Sequence, residues 1–248
     1  MSMRPQHRPG PRVWPAAFSL AVAVCLAGVL GVFAYARHGA PLLERLDTAV
    51  GEVLMNEGIR IEEAGVLDDA RVRYERALAA RFAGSQNRIY THKRLGAVLW
   101  KQGRFEAALP HLRNAVQGPH AQLSAFEILC DALFHLERYD AAAAVIPDWL
   151  AAADAADAPK ARATALLFQG RVALRHGDLD AAQPPLEASY RLDPGGRAAS
   201  ELAFVYYKAG RHEKALELID AYLAGGARGD RADYVRELRT RILEEAGR

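Results

Sequence analysis

Few side chains in this 248-residue protein are spaced for chemistry. His176-Gly177-Asp178-Leu179-Asp180 sets two carboxylates beside an imidazole, donor types that a divalent cation takes. A turn accounts for the same five residues: Gly177 reverses the backbone and Asp178 caps the following helix. None of the eight histidines has a partner ligand at helical i,i+4 spacing backed by a third donor. There is no glycine-rich phosphate loop and no nucleophile elbow. Cys25 and Cys130 are the only cysteines. Cys25 lies in an apolar run and Cys130 at a small-residue packing position, so no disulfide framework exists and Cys130 reads as a buried, inert thiol. No catalytic residue, metal ligand or cofactor site is assigned, and the protein is expected not to be an enzyme.

Charge narrows the partners. Basic residues number 32 and acidic residues 30. Arg4, Arg8 and Arg12 supply the excess, and without them the count is 29 against 30, a net of −1. The body therefore lacks the basic field that nucleic-acid binding requires.

Behind that basic tail (residues 1–13), residues 13–36 carry no charge, and residues 16–36 are apolar apart from Ser19. Twenty-one helical residues span roughly 30 Å, the thickness of a bilayer's hydrocarbon core. Nine are Leu, Val or Phe, contributing roughly −3 to −5 kcal/mol towards insertion. Trp14 and Tyr35 stand where aromatic rings favour the headgroup layer. Residues 14–36 are thus expected to form a transmembrane signal anchor in a bacterial inner membrane, followed by a juxtamembrane segment at 37–50. The flanking arginines place the N-terminus in the cytoplasm and the body in the periplasm. Ala34-Tyr35-Ala36 has the small-x-small form of a cleavage site, and the alternative is a cleaved signal peptide and a soluble periplasmic protein. Ala23, Ala27 and Gly31 form a small-residue stripe, through which two such helices could self-associate.

The elements that position everything else come from a recurring pattern. Gly65, Gly103, Glu137, Gly177 and Gly210 stand 38, 34, 40 and 33 residues apart. Five residues after each is alanine: Ala70, Ala108, Ala142, Ala182 and Ala215. Seven before each is a small residue: Gly58, Gly96, Cys130, Gly170 and Ala203. Nine after each is a large one: Tyr74, Leu112, Ile146, Leu186 and Ile219. Small residues let two helices touch, a glycine can end a helix and reverse it, and the large residues are expected to fill the space between neighbouring hairpins.

This pattern resembles the tetratricopeptide repeat, a 34-residue helix–turn–helix unit. The resemblance implies an all-α solenoid of about five hairpins over 51–225 (51–84, 89–122, 123–156, 163–195 and 196–225), with a capping helix within 226–248. Asp193-Pro194 is similar to the family's closing proline. The two long spacings are expected to be absorbed by looser connections at 84–87 and in the Ala/Asp run ending at Pro159. Trp149 and Tyr222 replace the usual alanine, so wider packing is expected there. Pro110, Pro147, Pro184 and Pro185 fall in second helices, where each costs about 3 kcal/mol, so those helices are expected to kink or start late. Tyr234, Leu238 and Ile242 are expected to turn the cap towards the last hairpin.

In this family the first helix of each hairpin lines a concave groove. Transferring that face by register selects Tyr90, Lys93, Arg94, Trp100 and Lys101 from unit two and Phe134 from unit three. Units four and five give Phe168, Arg171 and Arg175, then Phe204, Tyr207 and Lys208, with Arg197 at the start of unit five and Glu201 as an acid. Unit three adds Glu127, Asp131 and His135, and unit one supplies acids, Glu62 among them. Aromatics beside cations suit an acidic and apolar peptide. The family's chaperone-binding carboxylate clamp is not reproduced, since Ala97 stands where an amide is needed. The function implied is a membrane-anchored scaffold or adaptor that holds protein or peptide partners in envelope assembly, secretion or export. The alternative is a chaperone-like quality-control module for unfolded envelope clients.

Overall fold

The five turn residues all adopt a left-handed backbone in the computed structural model: φ is 82° at Gly65, 71° at Gly103, 56° at Glu137, 77° at Gly177 and 71° at Gly210. Each turn closes with the same two hydrogen bonds. At the second, the Gly103 amide donates to the Trp100 carbonyl and the Arg104 amide to the Leu99 carbonyl, both at 2.9 Å. This arrangement satisfies carbonyls that the helix end would otherwise orphan.

Residues 40–80, 85–226, 228–245 and 247 are described. Among them are eleven helices: α1 Ala40–Glu63, α2 Leu67–Ala79, α3 Ser85–Lys101, α4 Phe105–Ala115, α5 Leu123–His135, α6 Tyr139–Ala155, α7 Pro159–Arg175, α8 Leu179–Leu192, α9 Ala198–Lys208, α10 His212–Ala224 and α11 Asp230–Glu245. They pair as five hairpins from α1–α2 to α9–α10, and α11 packs on the last. The described residues form an all-α helical-repeat solenoid.

The hairpin seam departs from the expected division of labour. A Cβ on Gly58 would lie 2.7 Å from the Tyr74 ring, one on Gly96 2.6 Å from Leu112 and one on Gly170 2.5 Å from Leu186. The large residue therefore fills the space above the small residue of its own hairpin, rather than the gap between hairpins. The alanines five residues after each turn are fully buried at the same seam.

Filling between hairpins falls to other side chains. Trp149 of α6 is buried, its ring stacked 6.0 Å from Phe126 of α5 and tilted 5.7 Å from Phe168 of α7. The indole thus bridges hairpins three and four where a family alanine would stand. Tyr222 is partly buried against the second core cluster. That cluster spans hairpins four and five and the cap, while the first spans hairpins one to four. Helix α7 serves both, with Phe168 in the first and Leu167 in the second.

Several expectations need correction. Helices α4, α6 and α8 begin two residues after their turns and run unbroken through Pro110, Pro147, Pro184 and Pro185. Pro110, Pro147 and Pro184 are exposed and Pro185 is half-buried, so the rings lie away from the seam, where the missing donor costs least. The extra residues of unit three are not a loose connection. They lengthen α6 to Ala155, leaving residues 156–158 as the link, with Asp157 at φ 47° and Pro159 opening α7. Residues 85–87 likewise lie in α3. Helix α1 starts at Ala40, within the segment read as juxtamembrane. In the cap, Leu238 and Ile242 are buried as expected, but Tyr234 is 46% exposed and Val235 takes the inward position. Cys130 is fully buried, and burial pushes its thiol up to about 12.

The expected membrane anchor at 14–36, its cleavage site and its small-residue stripe lie outside the described residues. No described helix is long and apolar enough to cross a membrane.

Candidate partner-binding face

The first helices of successive hairpins approach one another: α1 meets α3, α3 meets α5, α5 meets α7, and α9 meets α11. The second helices make no comparable approach to each other among the described residues. A stack whose first helices crowd while its second helices splay curves towards the first helices, which line its inner face. One step in that row differs. Helices α7 and α9 are not in comparable contact, and a cleft of about 720 Å³ opens beside them.

At the N-terminal end, two of the three selected cations share one acid. Glu62 of α1, buried, accepts from Lys101 at 2.8 Å and lies 3.1 Å from the Arg94 Nε. The Tyr74 hydroxyl also donates to Glu62, at 3.0 Å. Burial pushes that hydroxyl well above its ordinary value. Trp100 donates from Nε1 to Asp131 of α5 at 2.9 Å and is partly buried. Tyr90 carries Lys93 at 5.4 Å and Arg94 at 5.8 Å over its ring. Burial holds Lys93 below the usual ammonium range, with Arg94 adding to that effect and Glu62 opposing it. Of the cations selected in unit two, only Lys93 lacks an ion pair among the described residues.

In the C-terminal half the aromatics divide. Phe134 and Phe168 are core residues, edge-to-face at 5.4 Å, rather than groove surface. Arg171 covers them, 4.6 Å from the Phe134 ring and 5.0 Å from the Phe168 ring. Its ion pair with Glu201 is loose, at 3.9 Å. Arg197 is held firmly by Glu127 at 2.6 Å. Arg175 lies over Tyr139 at 5.8 Å, and Lys208 over Phe204 at 5.7 Å and Tyr207 at 5.4 Å. Neither makes an ion pair among the described residues. Tyr207 donates to Glu245 of α11 at 2.7 Å.

Four of the selected residues meet in the cleft: Arg171, Arg175, Glu201 and Phe204. Arg231 and Tyr234 of α11 join them, and the repeat register places neither on this face. The signal for them is a cap helix that opens with a cation and an aromatic three residues apart, a pattern that also fits an inward-facing stripe.

The His176–Asp180 segment is a turn that runs into the first residues of α8. Asp178 caps α8, accepting from the Ala181 amide at 2.8 Å, and His176 pairs with Asp140 at 3.3 Å. Among the described residues there is no cluster of three or more His, Cys, Asp or Glu able to hold a metal ion.

Comparison with known proteins agrees with this architecture. The sequence profile of the tetratricopeptide repeat matches residues 93–159 and 167–231. No curated protein matches the sequence significantly. Among solved structures it is similar to pilF of Pseudomonas aeruginosa, at 19% identity, TM-score 0.63 and coverage of 81% of this chain and 87% of that one. It is similar to MamA 41-end of Desulfovibrio magneticus RS-1, at 16% identity, TM-score 0.59 and coverage of 71% and 94%. It is also similar to YrrB, at 20% identity, TM-score 0.54 and coverage of 74% and 90%. At these identities the likenesses bear on fold alone. The profile covers more than half of the sequence, and with the five turns, the small-over-large seams and the first-helix inner face it leads to one conclusion: the protein belongs to the tetratricopeptide repeat family.

Proposed function

We propose that this protein is a scaffold or adaptor that holds a protein or peptide partner against its first-helix face, chiefly on α7 and α9, and that it is not an enzyme. The observation that carries the reading is the group of Arg171, Arg175, Phe204 and Lys208. Its three cations lie over aromatic rings; Arg175 and Lys208 are exposed and make no ion pair among the described residues, while Arg171 is half-buried. Such pairs anchor carboxylates and apolar groups together. Tetratricopeptide proteins bind peptides and proteins, and YrrB is described as having an unusual peptide-binding site. The N-terminal half contributes less, because Arg94 and Lys101 are already paired with Glu62.

The finer reading places the body in the periplasm on a transmembrane helix at 14–36, serving envelope assembly, secretion or export. Its support is the length and apolarity of that run and the arginines before it. Mass measurement of the mature protein tests the anchor: loss of the first 36 residues would replace it with a cleaved signal. The groove is tested by crosslinking pull-down from membranes with Arg171→Glu and Arg175→Glu combined. Partner recovery is expected to fall at least tenfold with helix content unchanged. Undiminished recovery would overturn the assignment.

A further inference from the structure

The cleft between α7, α9 and α11 contains a cluster that the repeat pattern does not require. Arg171 and Arg175 come from α7, Glu201 and Phe204 from α9, and Asp230, Arg231 and Tyr234 from the terminal helix. Three guanidiniums face two carboxylates, and the pairing is poor. Arg171 reaches Glu201 only at 3.9 Å, beyond hydrogen-bond length. Arg175 and Arg231 make no ion pair among the described residues, although Asp230 adjoins Arg231. The Arg231 Nη1 is shielded from solvent and has no hydrogen-bond partner among the described residues. A guanidinium left short of an acceptor is unfavourable, and an anion in the cleft that Arg231 lines would offset its charge. Phe204 and Leu174 supply an apolar wall beside the cations. Arg171 is buried enough that its ordinary pKa is lowered, with Arg197 and Arg231 acting in the same direction against Glu201 and Asp131.

We propose that this cleft is a carboxylate-binding site, completed by Arg231 of the terminal helix, that takes a peptide carboxylate with an apolar group beside it. The inference rests on the groove reading above and adds the ligand chemistry and a new role for the cap. Two planar oxygens match the guanidinium fork. The apolar neighbour packs on Phe204 and Leu174, and Tyr234, which also lines the cleft, carries a hydroxyl able to donate. A phosphate would satisfy the charge but leave the apolar wall uncovered. The carboxylate has two sources, the C-terminus of a peptide or an Asp or Glu side chain, and small probes separate them.

The test is saturation-transfer NMR on the full-length protein in detergent micelles with four probes: N-acetyl-leucine, N-acetyl-glutamic acid α-amide, N-acetyl-leucine amide and inorganic phosphate. Saturable binding of the first is expected for a C-terminal carboxylate, and of the second for a side chain. N-acetyl-leucine amide is expected to bind at least tenfold more weakly than the preferred acid. Arg231→Gln is expected to weaken that acid at least tenfold, and Arg231→Lys several-fold, because charge remains but the fork is lost. If Arg231→Gln does not fold, the Arg231→Lys result decides. Equal binding of acid and amide, binding of phosphate alone, or unchanged affinity in the Arg231 variants would overturn the proposal. If the Arg231 variants bind normally while Arg171→Glu with Arg175→Glu still abolishes partner capture, this site falls and the groove reading stands. If capture also survives, both fall.

Discussion

Glu137 is the one non-glycine among the five hairpin turns, and at φ 56° it holds a conformation that L side chains adopt at a cost of roughly 1–2 kcal/mol. Its side chain is exposed, so a glycine there would lose little beyond local solvation. Glu137→Gly is expected to raise stability by about 1 kcal/mol, read as a higher denaturant midpoint at unchanged slope. Gly96 gives the opposite test. Alanine ordinarily favours a helix over glycine by about 1 kcal/mol. Here its Cβ would stand 2.6 Å from Leu112, which is fully buried. Gly96→Ala is expected to destabilise by roughly 1–3 kcal/mol, because overpacking outweighs propensity. A stabilised Gly96→Ala protein would show that the seam is looser than its geometry.

Elements respond to pH through a contact that no sequence pattern announces. His92 of α3 and His111 of α4 bring their Nδ1 atoms to 3.1 Å, so one donates and the other accepts, and both nitrogens cannot hold a proton there. Burial first, then His111 and Arg88, lowers His92 to about 4 from an ordinary 6.5. Burial also lowers His111, against an opposing pull from Glu75. The folded pair thus binds fewer protons than the unfolded protein once the pH drops below about 6.5. Stability is highest above that value and is lost as the pH falls towards about 4. The thermal midpoint is expected to decline from neutral pH to about pH 5, and His92→Asn with His111→Gln should flatten that slope. A midpoint independent of pH in the unsubstituted protein would contradict the pairing.

The elements also show how far a one-dimensional pattern reaches. Turn, alanine and small-residue positions are legible because each obeys a local rule: backbone handedness at Gly103, close approach at Gly96. The proline-bearing helices are not legible in the same way, because the cost of Pro147 depends on a face direction that only packing sets. The Ala/Asp run exceeds the repeat length and so resembles a connection, yet alanine's helix preference extends α6 into it as far as Ala155. Tyr234 belongs to a four-residue stripe that fits two faces of its helix, and only the docking of α11 chooses between them.

At the scale of the whole molecule, the inner face is legible as a set of helices but not as a field of charge. Register places Arg94, Lys101 and Arg197 on that face. It cannot show that Glu62 reaches across from the first hairpin to hold two of them, or that Glu127 holds the third. Phe134 and Phe168, selected as anchors, sit beneath Arg171 and act through it. What remains accessible is concentrated on α7, α9 and the terminal helix, where the row of first helices opens. The molecule is therefore expected to be polarised, with the C-terminal half doing the holding.

Site-specific photo-crosslinking in intact membranes reads that polarity at single residues. A photoreactive residue is placed singly at Arg175 or Lys208 on the first-helix face, and at Arg113 or Lys214 on exposed positions of second helices. A discrete partner band is expected from Arg175 and Lys208, and little from Arg113 and Lys214. A partner that crosslinks from the second helices and not from α7 or α9 would contradict partner binding on the first-helix face.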